Sequence, residues 1–345
     1  YNSQFNTGYL KTYLSTGPGG FAAPVLINDG DDPLYLASAD LNGDHLPDIV
    51  SASFDDGDLE VFLNSAQNPG TFAVPLMLAS PGASQVAIAD MNGDGLPDLV
   101  SADYNVSLFV QTAPGTFAAP IGLYSGGANW VAVGDLNHDG IPDIAVTDNV
   151  GVKLLLHTGA AGTTTYAAPI PVFTQTANAH VVGANLIAIA DVNGDGLDDL
   201  IITDPGPTGG QSPTVSVLLQ NPAQVGQFLP AVSYATAPSN LARSILVRDV
   251  NGDGHPDIVI GGTSAVSVLL QNPSTPGTFL AAVNYAVPYA NEIAIADVNG
   301  DGLVDIIVTT GASQPVENGI ITNTAGVLLQ VAGSPGTFGA LQNLP

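Results

Sequence analysis

Six times along the chain, aspartates and an asparagine return in one spacing, Asp-x-Asn-x-Asp-[Gly/His]-x-x-Asp. Position 1 is Asp40, Asp90, Asp135, Asp191, Asp249 and Asp297, and position 3 is Asn42, Asn92, Asn137, Asn193, Asn251 and Asn299. Position 5 is Asp44, Asp94, Asp139, Asp195, Asp253 and Asp301. In a tight loop the oxygens of these alternate residues converge on one point. Position 7 (Leu46, Leu96, Ile141, Leu197, His255 and Leu303) adds a backbone carbonyl. Position 9 (Asp48, Asp98, Asp143, Asp199, Asp257 and Asp305) completes the shell. Hard oxygen ligands in that number suit Ca²⁺, whereas Zn²⁺ would find no cysteine and only five histidines. The expectation is about six Ca²⁺ ions, one per loop. Asn-Gly and Asp-Gly also make plain β-turns. A turn explains the glycine and one Asn or Asp, but not four oxygen-bearing side chains in a register repeated six times. In the first loop His45 replaces the glycine of position 6, which weakens that assignment.

Charge fits the same reading. Four Lys and Arg stand against 31 Asp and Glu, a formal net charge of −27. Only Glu60, Glu292 and Glu317 are glutamates, so the excess is aspartate and asks for a cause other than solubility. One divalent ion per loop offsets nearly half of it. So few cations exclude a phosphate-binding or nucleic-acid-binding surface.

The elements that position these loops are short. Each loop follows an apolar run such as Val86-Ala-Ile-Ala89 and precedes another such as Ile258-Val-Ile260. A third run follows, as in Val266-Ser-Val-Leu-Leu-Gln271. A turn, often Pro-Gly-Thr-Phe (69–72, 114–117, 276–279, 335–338), leads into a fourth stretch. Units of four strands, A to D, recurring every 45 to 58 residues predict the blades of an all-β propeller. Runs of this length cannot cross a bilayer as helices. The whole chain, 1–345, reads as one propeller domain: 1–27 is an extra C–D strand pair and 28–345 carries six loop-bearing blades. The N-terminal pair leaves the blade number open. It is a reduced seventh blade, a pair packed outside six, or a half-blade completed by another chain or a lost upstream segment. Tyr1 starts the sequence without Met, which suggests a trimmed product.

With its Asp loops and Pro-Gly-Thr-Phe turns, the sequence resembles the FG-GAP/VCBS repeat family, found in integrin α-subunit heads, some fungal lectins and many bacterial surface proteins. The resemblance implies Ca²⁺ in the A–B loops, in a structural and not a catalytic role. Ligands vary across that family, so it does not give the function.

Strand alternation places A–B and C–D turns at one end of each blade and B–C and D–A connections at the other. The second end varies most, in 174–185, 204–213, 234–240 and 309–324. Trp130 starts a strand A there, matched by Tyr35, Gln85, Leu186, Ser244 and Glu292. Trp130 and Tyr35 are the candidate ligand-binding residues, although a lone tryptophan is more often packing. No nucleophile, metalloprotease or nucleotide-binding motif occurs. Asp103, Asp148 and Asp204 leave a carboxyl pair for glycan cleavage as a minor alternative. The expected protein is a non-enzymatic recognition or adhesion module, extracellular or at the cell surface, binding glycan or protein. The alternative is a structural subunit that self-assembles through its incomplete blade.

Overall fold

The computed structural model describes residues 9–17, 20–28, 33–53, 57–102, 104–174, 186–204, 213–311 and 324–343. Among these there is no helix; the fold is all-β, a β-propeller of four-stranded blades. The chain divides into two compact units, 1–173 and 174–345.

The first unit holds three blades, each an antiparallel meander in the order A-B-C-D. Blade 1 is Pro33–Ala39, Asp48–Ser53, Asp58–Phe62 and Leu76–Ala79. Blade 2 is Gln85–Ala89, Asp98–Ala102, Val106–Phe109 and Ile121–Tyr124. Blade 3 is Ala128–Gly134, Asp143–Asp148, Gly151–Leu155 and Ile170–Thr174. The second unit repeats the plan. Blade 4 is Ile187–Ala190, Asp199–Asp204, Thr214–Leu218 and Val232–Ala235. Blade 5 is Ala242–Arg248, Asp257–Gly262, Ala265–Leu269 and Val283–Ala286. Blade 6 is Ala290–Ala296, Asp305–Thr310, Thr324–Leu328 and Gln342–Asn343.

Strands B are buried along nearly their whole length, on both faces, while strands D are largely exposed. That gradient explains the sequence pattern: B reads as continuous Val, Ile and Leu because neighbours cover both sides. The cores accordingly lie between blades. Val50, Leu59 and Val61 of blade 1 pack with Val86, Leu99 and Phe109 of blade 2. Val259, Val266 and Val268 of blade 5 pack with Ile293, Ile306 and Val308 of blade 6. A blade alone would leave half of this surface in water, which is why the repeats stabilise one another.

The N-terminal pair forms as expected, with Tyr9–Thr12 antiparallel to Val25–Asn28 and Ser15–Gly17 to Gly20–Phe21. It ends at Asn28, which pairs with Tyr9, one residue beyond the boundary read from the sequence. Of the long variable connections, most of 174–185, 204–213 and 309–324 lies outside the described residues. The fourth, 234–240, is pinned: Asn240 Oδ1 accepts from Ser264 N at 2.9 Å and Ala265 N at 3.1 Å.

Each Asp loop turns through left-handed backbone at position 6 and, beyond what the sequence reading anticipated, at position 4. Glycine takes most of these sites, but His45 (φ 66°) and His138 (φ 60°) hold the same conformation. A Cβ there is strained, and both side chains are exposed, so little packing offsets the strain. His45→Gly and His138→Gly are each expected to stabilise the protein by about 1 kcal/mol. Urea denaturation at fixed calcium measures this; an unchanged or lowered midpoint would show that the histidines are not strained.

Candidate metal centres

The loops are nests of backbone N–H groups wrapped around side-chain oxygens. In the first, Asp40 Oδ1 accepts from Gly43 N at 2.7 Å and Oδ2 from His45 N at 2.8 Å. Asn42 Oδ1 accepts from Asp44 N at 2.9 Å, and Asp44 Oδ1 from Leu46 N at 2.9 Å. The same bonds recur in the last loop at Asp297, Asn299 and Asp301. In four loops the position 3 amide also donates to the position 5 carboxylate at 3.0 Å. These bonds hold positions 1, 3 and 5 in one small volume while leaving lone pairs on the exposed carboxylates. In the last loop the Gly302 N–H, chief among several such donors, holds the Asp297 carboxyl below its ordinary range.

Position 9 behaves differently. All six of these aspartates are fully buried at the first residue of strand B. In every blade Oδ2 accepts the N–H of position 2, from Leu41 at 2.8 Å to Val298 at 3.1 Å. Oδ1 accepts the N–H of the residue two beyond strand C: Asn64, Gln111, His157, Gln220, Gln271 or Gln330. The ninth aspartate, expected as a ligand, is therefore also a latch fastening the loop to strand C. Sequence reasoning missed its partners. The Gln271 side chain donates to Pro256 O at 2.8 Å and accepts from Gly277 N at 3.4 Å, joining the A–B loop to the C–D turn. Recurrent Gln after a Leu-Leu run was the available signal. His157 takes this place in blade 3, where its Nε2 lies 2.9 Å from Thr163 O.

In the first five loops burial drives the ninth carboxylate upward, and the aspartates at positions 5 and 1 of the same loop add repulsion. Asp143 and Asp199 are pushed up to about 7, and Asp98 and Asp257 to about 6. Asp48 moves in the same direction for the same reasons. His45 Nδ1 lies 3.6 Å from Asp40 Oδ2 in the first loop, while Lys153 pairs with Asp148, outside the loops. Among the described residues no three or more acidic, histidine or cysteine side chains group closely enough to hold an ion by themselves. The asparagine and the position 7 carbonyl are needed to complete a shell. As a donor set of oxygens around mutually repelling carboxylates, the loops fit a hard divalent cation.

The A–B and C–D turns share an end, as strand alternation requires. Gly115 N of blade 2 donates to Leu41 O of the first loop at 2.8 Å, and Gly162 N of blade 3 to Asn92 O at 2.6 Å. At the opposite end, a β-bulge in strand A directly precedes Tyr35, Trp130, Ser244 and Glu292 and re-aims them. In the first unit Trp130 and Tyr35 meet edge to face, centroids 5.2 Å apart, both half-buried. Gln85 lies beside them, its Oε1 accepting from Val131 N at 3.3 Å. In the second unit Ser244 Oγ donates to Glu292 Oε2 at 3.1 Å, and burial raises Glu292 to about 7. Of the candidate acids, Asp148 is buried and holds Lys153 Nζ and the Tyr124 hydroxyl; Asp103 lies outside the described residues.

A family model described as "FG-GAP-like repeat" matches residues 40–101, 90–146, 135–202, 191–260 and 249–308. Each matched segment starts at one Asp loop and runs past the next, so five segments span all six loops. No curated protein matches the chain. Among solved structures, a lectin from Agrocybe aegerita that recognises non-reducing terminal N-acetylglucosamine is similar at 19% identity and a TM-score of 0.61. The match covers 98% of this chain and 90% of the lectin. A protein from Lactobacillus plantarum is similar at 16% identity and a TM-score of 0.56, covering 92% and 88% of the two chains. At these identities the likeness is one of fold.

Proposed function

The chain belongs to the FG-GAP-like repeat family, and from that premise we propose that it is an extracellular, calcium-stabilised recognition module that binds glycans without transforming them. In this reading Ca²⁺ is held by the oxygens of positions 1, 3, 5 and 7, with position 9 closing the loop behind them. The ion supplies charge neutralisation and cross-linking of the A–B hairpin, and no chemistry on a ligand. Calcium at the millimolar level found outside cells suits loops of this kind, which supports that location.

One observation carries the recognition reading: the two ends of the blades are built on opposite rules. One end repeats the same loops and turns six times. At the other end, strand A bulges in four blades set side chains that differ from blade to blade, Tyr35 and Trp130 in one unit and Ser244 and Glu292 in the other, and of these Tyr35, Trp130 and Glu292 are partly exposed. A scaffold that holds the backbone constant while varying what it displays is the arrangement of a binding surface. Aromatic and carboxyl side chains are groups that stack on sugar faces and pair with hydroxyls. The fold shared with a lectin for terminal N-acetylglucosamine points to glycans as the first ligand class to test.

A glycan array that includes terminal N-acetylglucosamine, probed in calcium buffer, is expected to show binding. Trp130→Ala should weaken it by roughly tenfold or more, as loss of a stacking ring does. Thermal melting should show that the variant still folds. A blank array overturns the glycan reading, and an unchanged affinity removes Trp130 from the site.

A further inference from the structure

In three pairs of successive blades, the C–D connection of one blade donates to the position 2 carbonyl of the Asp loop before it. Leu41 O accepts the N–H of Gly115 in blade 2 at 2.8 Å. Met91 O accepts the Tyr166 hydroxyl of blade 3 at 3.1 Å. Val250 O accepts Gln330 Nε2 of blade 6 at 2.8 Å. A main-chain N–H, a phenol and an amide share no sequence signal, yet all three reach the same acceptor. Position 2 lies between the candidate ligands at positions 1 and 3, so its backbone sets how their oxygens are held. Its own N–H is tied to the ninth aspartate, as Val250 N is to Asp257 at 3.0 Å. The residue is thus fixed from both sides, by its own blade and by the next.

Gln330 makes this connection most fully, because it serves a loop of its own as well. It is buried, and its Nε2 also donates to Val304 O, position 8 of the blade 6 loop, at 2.7 Å. Its N–H donates to Asp305 Oδ1 at 2.9 Å, and its Oε1 accepts from Gly336 N at 3.1 Å. One side chain therefore touches the backbone of two loops. The turn it organises also presses on the first of them. A Cβ added at Gly336 would lie 3.2 Å from the Cβ of Asn251, at position 3 of the blade 5 loop. That turn is held against blade 5 by Phe338 N, which donates to the Tyr285 hydroxyl at 3.0 Å. Blade 1 has Asn64 in the place of Gln330, one methylene shorter. Its amide makes the bonds within the blade, to Pro47 O at 3.0 Å and from Gly70 N at 2.8 Å.

We propose that Gln330 is a positioning residue through which the loops of blades 5 and 6 fill with calcium cooperatively. The inference rests on the calcium reading of the loops. With the blade 6 loop filled, Asp305 and Val304 are fixed, and the Gln330 amide is ordered between them and Val250. The blade 5 loop then needs less ordering to bind its own ion, and its affinity rises. Coupling of this kind is reciprocal, so either loop can fill first.

Hydrogen exchange on the full chain, followed at several free-calcium concentrations, reads each loop separately. Weakening the blade 6 loop with Asp301→Asn should raise the calcium needed to protect residues 249–257 by about fivefold or more, and leave residues 90–98 unmoved. Gln330→Asn should keep the bonds within the blade that Asn64 makes and give up the reach to Val250. In that background Asp301→Asn should no longer shift residues 249–257. Thermal melting shows whether Gln330→Asn folds; should it not, Gln330→His, after His157 of blade 3, takes its place. If no loop gains protection with calcium, the calcium reading itself falls, and this inference with it. Calcium-dependent protection of residues 249–257 that Asp301→Asn leaves unmoved overturns the coupling alone. A shift that persists in the Gln330 variant overturns the role of Gln330.

Discussion

Under the proposed calcium assignment, removing calcium is expected to lower the melting temperature by roughly 10 °C or more, and the metal-free form is expected to melt at a lower temperature at pH 7 than at pH 4. The first expectation is mass action. An ion that binds only the folded loop stabilises by about 2.7 kcal/mol at a hundredfold excess over its dissociation constant, and there are six loops to fill. The second follows from the buried ninth carboxylates. Burial first, then repulsion from positions 5 and 1, raises Asp143 and Asp199 to about 7 and Asp98 and Asp257 to about 6 in the metal-free fold. A carboxyl whose folded pKa lies above its unfolded value favours the fold while protonated. That contribution is complete below about pH 4 and is lost as pH rises through 6 to 7. Calcium favours the ionised form and should flatten or invert the trend. Calorimetric scans at several pH values, with chelator and with excess calcium, measure both effects. Superimposed scans with and without calcium would sink the metal assignment.

Asp257→Asn destabilises the protein by about 3 kcal/mol even in chelator, whereas Asp253→Asn in the same loop does not. Asp257 is fully buried, and its two oxygens accept Val250 N at 3.0 Å and Gln271 N at 2.7 Å. An asparagine can satisfy one of these donors, but its NH₂ then faces the other, and no water reaches the site. Asp253 is exposed, with Asp249 and Asp257 for neighbours. Its neutralisation relieves repulsion in the empty loop and is felt only when calcium is present, as a smaller stabilisation. Urea titrations of the two variants, each in chelator and in calcium, separate latch from ligand. Equal losses for both in chelator would remove the distinction between positions 5 and 9.

The blades were legible because their signal is repeated. Continuous Val-Ile-Leu runs mark strands covered on both faces, and loops of fixed spacing punctuate them six times, so the all-β propeller, its four-stranded unit and the N-terminal pair could be read residue by residue. The Asp loops were legible as oxygen clusters for the same reason. The ninth aspartate's second role was not, because its partners, such as Gln271 N beside Asp257, lie well along the chain and become neighbours only when strand C returns beside B. The Tyr35–Trp130 contact was equally hidden, since strands from blades 1 and 3 bring those rings together.

Local spacing therefore determined which oxygens gather and which runs become strands, since both depend on a handful of consecutive residues. Tertiary structure alone decided which carboxylates are buried, which side chains the bulges re-aim, and that Gln330 of blade 6 reaches the loop of blade 5. Those properties depend on burial and on contacts between distant segments, and neither exists until the blades have packed.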